Sequence, residues 1–197
     1  MAYPAIDGPY GLIPINLIGG QVFASATRQI PIATNSSTAI YFGDVVTLAS
    51  TGTLALDTGT NAATPVGVFL GCTYTDPSFG RTFRQFYPGT TNITDVVAYV
   101  QDDPDCLFKV AVVSSGTTIS FVTRANVGEN AVLVQNAGST VTGDSRVAIS
   151  ATTGTTSTFP IRIIDVIPET QSSAGSFTEV VVKWNQGMHR YLNPTGV

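Results

Sequence analysis

An all-β fold is what this chain predicts, and three observations carry that expectation. Short apolar runs recur between Gly- and Asx-rich turns at the spacing of sandwiches and barrels. The clearest runs alternate apolar and polar positions with a period of two. Nowhere do Ala, Leu, Glu and Lys assemble at helical spacing over several turns. The expected architecture is a β-sandwich or a partly open, β-tulip-like barrel, with residues 1–20 as an extended N-terminal arm and residues 21–197 as the β-rich body. That body is expected to divide, if at all, into two β subdomains near 114–124.

Bulk properties narrow the class. With 197 residues, 43% of them hydrophobic, the chain can bury a substantial core, which argues against disorder. Only 11% of residues are charged, against about 25% in an ordinary soluble domain. Thr, Ser, Asn and backbone must therefore cover much of the surface, and a surface so poor in charge suits contact with other protein. The net charge is -4 and the nine basic residues form no run, so a polyanion such as nucleic acid is not an expected partner. The start MAYPAIDGPYGLIPINLIGG has no basic leader region and is broken by three prolines, and no apolar run reaches the roughly 18 residues of a membrane helix. Neither a secretory leader nor a membrane partner is expected, and synthesis is expected in a cytoplasm.

Proline fixes φ and removes a backbone donor, so residues 1–20 read as an arm outside the sheets. Its apolar residues, including Tyr3, Tyr10 and Ile13, call for cover from the same body or from a neighbour. Gln21–Ile32, Ala39–Phe42, Val45–Leu48 and Thr53–Leu56 then read as short strands. In TPVGVFLGCTYTD, Val66, Val68, Leu70, Cys72 and Tyr74 share one face of a strand that Pro65 introduces. Pro77–Gly80 turns the chain into RTFRQFY, which gives a hairpin. Asp95–Gln101 and Cys106–Val113 are the next expected pair, joined by a turn holding Asp102, Asp103 and Asp105. Thr117–Val122, Ala131–Gln135, Arg146–Ser150, Ile161–Ile167 and Thr178–Asn185 complete the strands, with Trp184 as a core anchor, a short helical turn near Arg124–Asn130 and ISATTGTTSTF as a polar loop.

Catalytic patterns are sparse. His189 is the only histidine, the chain lacks a G-x-S-x-G elbow, and QGMHRY gives it no triad context, so it reads as a tail residue that is exposed or packed at an interface. Cys72 and Cys106 lie too far apart in sequence for a zinc pair and read as reduced, buried thiols. The run D-D-P-D-C lacks the alternation and distal Glu of a calcium loop and reads as a turn. No enzyme, metal or cofactor is expected. The cluster Phe79, Arg81, Phe83, Arg84, Phe86 and Tyr87 has the aromatic and Arg content of a protein interface, and with Tyr3, Tyr10 and Ile13 it forms the expected contact set. The alternative is that Tyr74 and these aromatics form a sugar-stacking platform, as in a carbohydrate- or receptor-binding module of a phage fibre.

Taken in order, GDVVTLASTG, PVGVFLGCTYTD, a hairpin ending FYPG, AYVQDDPDCLFKV, VGENA, TGDSRVAI, PIRIIDV and VVVKWN resemble the decoration, or cement, proteins of tailed double-stranded DNA bacteriophage heads. The resemblance runs through most of residues 40 to 190. It implies an all-β structural virion protein on the outer face of the capsid, bound to the major capsid protein and stabilising the head against packaged DNA. It also implies a homotrimer, with a dimer as the alternative.

Overall fold

The computed structural model describes residues 6, 8–90, 92–171 and 177–197. Twelve strands make up its regular structure: β1 Ile13–Leu17, β2 Arg28–Pro31, β3 Val45–Leu48, β4 Leu54–Leu56, β5 Gly67–Asp76, β6 Gly80–Arg84, β7 Val97–Gln101, β8 Cys106–Val113, β9 Asn130–Val134, β10 Ala148–Gly154, β11 Ile161–Val166 and β12 Glu179–Trp184. Among the described residues the only helical pieces are two single 3-10 turns, Arg124–Asn126 and Pro168–Thr170. The first of these falls where the sequence places a helical turn.

The all-β expectation holds, in the form of a closed barrel and a second curled sheet. Pairing runs β8-β10-β9-β11-β12 and returns from β12 to β8, which closes a five-stranded ring, with β1 added beside β8. The second sheet has the order β2-β7-β5-β3-β4, with β6 on β5, and a lone parallel bridge between Ile32 and Leu54 draws its two ends together. Closing a sheet removes free edges that would otherwise template pairing with other chains.

Cores follow the sheets. Phe108, Val110, Val112, Leu133, Ile149, Ile161, Ile163, Val182 and Trp184 fill the barrel, where the Trp184 ring lies against Phe108 with centroids 5.2 Å apart. Phe69, Cys72, Tyr74, Tyr87, Ala98 and Val100 fill the second sheet's interior. The two cysteines therefore belong to different cores and are free thiols. Burial pushes the thiol of Cys72 up to about 12 and that of Cys106 up to about 11, so both stay protonated.

Several local expectations change. Ile13–Leu17, read as part of an arm outside the sheets, is a strand that pairs antiparallel with β8. A register shift between Pro14 and Asn16 explains why it was hidden: the irregular residue erases the period-two pattern, and proline is tolerated at such a bulge. Upstream, Ile6 and Tyr10 pack on Ala111, Val113 and Ala148 at the outside of the barrel. β7 and β8, expected to pair with each other, sit in different sheets; the acidic turn between them is where the chain crosses from one to the other. The strands on both sides of residues 114–124 belong to one sheet. Gln21–Ile32 contributes the strand Arg28–Pro31 with isolated bridges at Val22 and Ile32, Thr117–Val122 only a bridge at Ile119, and β10 extends through the first half of the Thr-rich loop.

β5 departs from simple alternation as well. Val68 and Leu70 face the barrel core, whereas Phe69, Cys72 and Tyr74 face the second core. A bulge between Phe69 and Gly71 inserts one residue and reverses the phase, with Gly71 at φ 138°.

A backbone seam joins the sheets. Gly43, with φ 89°, donates its N–H to Phe69 O of β5 (2.8 Å) while its carbonyl accepts from Leu12 N (2.9 Å). Beside it Gly11 donates to Val147 O (3.1 Å), Phe42 N donates to Gly143 O (3.0 Å) and Ser145 N donates to Phe42 O (2.8 Å). A Cβ on Gly11 would lie 2.6 Å from the Gly43 carbonyl oxygen and 2.7 Å from Ser145 Cβ, and its φ of 84° is already unfavourable for other residues. Gly11→Ala is therefore expected to destabilise the fold by about 2–4 kcal/mol. Gly154→Ala at the end of β10, where an added Cβ meets nothing within 4 Å, is expected to change stability little or raise it slightly. Paired thermal melts of the two variants check this.

Candidate interaction surface

The hairpin β5–β6 builds the most exposed apolar feature of the sequence-predicted set. At its tip the Asp76 carboxylate accepts hydrogen bonds from Ser78 N (2.9 Å) and Phe79 N (3.3 Å), an Asx turn that leaves Phe79 79% exposed. Along β6, Phe83 leans on Tyr99 with ring centroids 5.8 Å apart and covers Gly71, yet stays 63% exposed. Arg81 spans to Asp95 (3.3 Å) and to the Thr73 hydroxyl (3.1 Å), and Arg84 approaches Asp76 (3.6 Å). Asp95 accepts from the Thr75 hydroxyl (2.6 Å) and amide (3.0 Å), and these bonds, with a smaller contribution from Arg81, hold its carboxyl below the usual carboxylate range. The two guanidinium groups thus have partners on the hairpin while the Phe79 and Phe83 rings face water.

The other expected contact residues lie elsewhere. Tyr87 is fully buried in the second core, where its hydroxyl donates to Ser36 O (2.7 Å) with Thr90 O also in reach (3.2 Å). Phe86 is half-buried and stacks on Tyr41 with centroids 5.6 Å apart. Because Tyr74 and Tyr87 are interior, the hairpin aromatics do not share one platform. Tyr10 is half-buried on the barrel, where its hydroxyl donates to Glu179 and Lys109 sits over its ring. Glu179 is buried and also pairs with Lys109 at 3.0 Å. Ile13 is half-buried on β1 opposite Lys109. Tyr3 lies outside the described residues.

The most exposed apolar side chains outside the predicted set, Val22, Phe121 and Val141, escaped the sequence reading. Val22 and Phe121 fall in runs whose alternation suggested strands, and Val141 sits in a turn whose Thr and Gly neighbours drew attention away from it. Nothing in the local sequence marks them apart from core positions.

The candidate chemical groups are tied up in structure. His189 is buried rather than exposed in the tail; its Nδ1 accepts from Tyr191 N (3.3 Å), and burial pushes its pKa below the ordinary imidazole value. Asp102 receives Arg28 (2.5 Å) and the Tyr191 hydroxyl (3.0 Å), Asp103 accepts from Asp105 N (2.8 Å), and Asp105 pairs with Lys183 (2.6 Å). Among the described residues no three His, Cys, Asp or Glu side chains gather as a metal would require.

One buried carboxylate stands out. Asp44 lines a cleft of about 310 Å³ with Tyr41, Gln135 and Asn136, accepts from Tyr41 N (2.8 Å) and is bonded by Ser145. Burial raises its pKa from 3.8 to about 6 against those two bonds. A folded-state pKa above the unfolded value means the folded chain holds the extra proton: the contribution is full below about pH 4 and lost as pH rises through about 6. Asp44→Asn, in which the Ser145 hydroxyl can reverse to accept, is expected to raise stability by about 3 kcal/mol near pH 8, by about 1 kcal/mol near pH 4.5 and to add almost nothing near pH 3. Thermal melts of both proteins across that range check the sign.

Comparison of the chain with known protein families, curated proteins and solved structures returns no match.

Proposed function

We propose that the protein is a structural component of a virion, a decoration protein that docks on the outer face of a tailed-phage capsid and braces neighbouring major capsid subunits. The observation that carries the reading is the pairing of a stitched two-core body with large apolar side chains held out from it, above all Phe79 at the hairpin tip. Only 11% of residues are charged, so close packing against another protein strips water from few ions. The ordered β phrases that resemble head decoration proteins point the same way.

On this reading the work is mechanical and needs no turnover. A weak contact repeated over a symmetric shell gains from avidity, because each oligomer engages several sites at once. Exposed apolar anchors flanked by pinned Arg groups match the composition of protein interfaces. Self-association into a homotrimer, or a dimer, would present several such anchors together.

The test is co-sedimentation with expanded shells assembled from the major capsid protein of the same genome. The proposal expects saturable binding, at least 10-fold weaker for Phe79→Ser and unchanged for Gly154→Ala, and shells that resist higher temperature when decorated. Absence of binding to expanded shells would overturn it.

A further inference from the structure

We infer that β6 is a self-association edge, where a second copy of this chain pairs antiparallel to it about a two-fold axis through Thr82. The inference deepens the structural reading by assigning the self-contact, and it selects the dimer over the trimer.

The argument starts from the backbone. β6 is bonded to β5 along one side, and among the described residues no strand pairs with its other side. The hairpin turns through Pro77–Phe79, with Asp76 opposite Gly80, and the Thr75 amide donates to Asp95 (3.0 Å) rather than to β6, which marks Thr75–Arg81 as a pair without hydrogen bonds. Bonded and non-bonded pairs alternate in an antiparallel ladder, so Thr82 and Arg84 direct their backbone groups at β5, and Arg81 and Phe83 direct theirs outward. An added strand must engage residues 81 and 83.

Side chains then choose the register. Centred on Thr82, self-pairing places Arg81 opposite Phe83 of the second copy, and Phe83 opposite its Arg81. These two residues are on the same sheet face, and the Arg81 side chain is 61% exposed, so its guanidinium can exchange its weak surface contacts with Asp95 and Thr73 for the ring across the axis. Arg84 falls opposite Gly80, and no like charges face each other. Centring on Arg81 would oppose two arginines, which is unfavourable. Centring on Phe83 would place Arg81 opposite Gln85 and forgo both cation–ring contacts. The sequence Gly-Arg-Thr-Phe-Arg is thus self-complementary in one register, and Phe79 remains free at the tip for another partner.

Arg residues on an open edge also serve to discourage pairing, and the experiment separates the two roles. In the proposed register the two Thr82 residues form a non-bonded pair, whose Cα atoms approach to about 4.5 Å, within disulfide range. The native thiols are buried in the cores and do not compete. The full chain is examined by sedimentation velocity over a concentration series, with Phe83→Lys alongside, which sets a second cation opposite Arg81 across the axis. Thr82→Cys is compared with Ser78→Cys at the exposed turn for interchain disulfide formation under mild oxidation. The expected result is a concentration-dependent dimer, weakened at least 10-fold by Phe83→Lys, and cross-linking at Thr82→Cys at least 10-fold faster than at Ser78→Cys. A monomer throughout, an oligomer indifferent to Phe83→Lys, or equal cross-linking at the two positions would each overturn the pairing. Shell co-sedimentation is read separately, so loss of this pairing with shell binding intact leaves the decoration reading standing.

Discussion

The structure depends on the contact between Gly11 and Gly43. Two backbones can approach closely enough to share the Gly43 carbonyl with Leu12 N only because neither residue carries a Cβ. From that point hydrogen bonds run to Phe69 in the second sheet and, through Phe42, to Gly143 and Ser145 beside the barrel. Without it the two sheets would rest on β5 and the C-terminal segment alone for their connection. With it, the bulged strand β5 serves two cores at once, giving Val68 and Leu70 to the barrel and Phe69, Cys72 and Tyr74 to its own sheet.

A second tie is made by the C-terminal segment. After β12 the chain crosses back to the second sheet, where Arg190 N donates to Pro65 O (2.7 Å) and its guanidinium donates to the Thr47 hydroxyl (3.2 Å). Tyr191 follows, bonded to Asp102 and lying beneath Arg28. His189 is buried in this strap. In the acidic turn, Asp102 and Asp105 hold Arg28 and Lys183 where the chain passes from one sheet to the other.

Much of the architecture was legible because β-strand physics is local. Period-two alternation located β3, β8, β11 and β12 within a residue or two, and it identified Trp184 as a core anchor, which the structure places in the barrel. Alternation failed where an irregular residue broke it, at the bulges of β1 and β5, and where exposed segments such as Gln21–Thr27 imitated it. Strand partners were less legible, since β7 and β8 are neighbours in sequence but meet different strands through long-range pairing. For the contact surface, composition marked the hairpin. It could not separate Phe79 and Phe83, which face water, from Tyr87, whose hydroxyl is satisfied inside the core. That distinction comes from the Asx turn at Asp76 and from the antiparallel bridge between Ile40 and Tyr87.

A body fastened in this way should transmit force as one piece, which is what bracing a shell would require. Native-state hydrogen exchange reads that property directly. The account predicts that the amides of Leu12 and Gly43 in the seam, of Phe69 in the second sheet and of Phe108 in the barrel exchange through one global opening, with closely matched free energies. Exchange of the second sheet and the seam through a separate, lower-energy opening, with the barrel still closed, would contradict it.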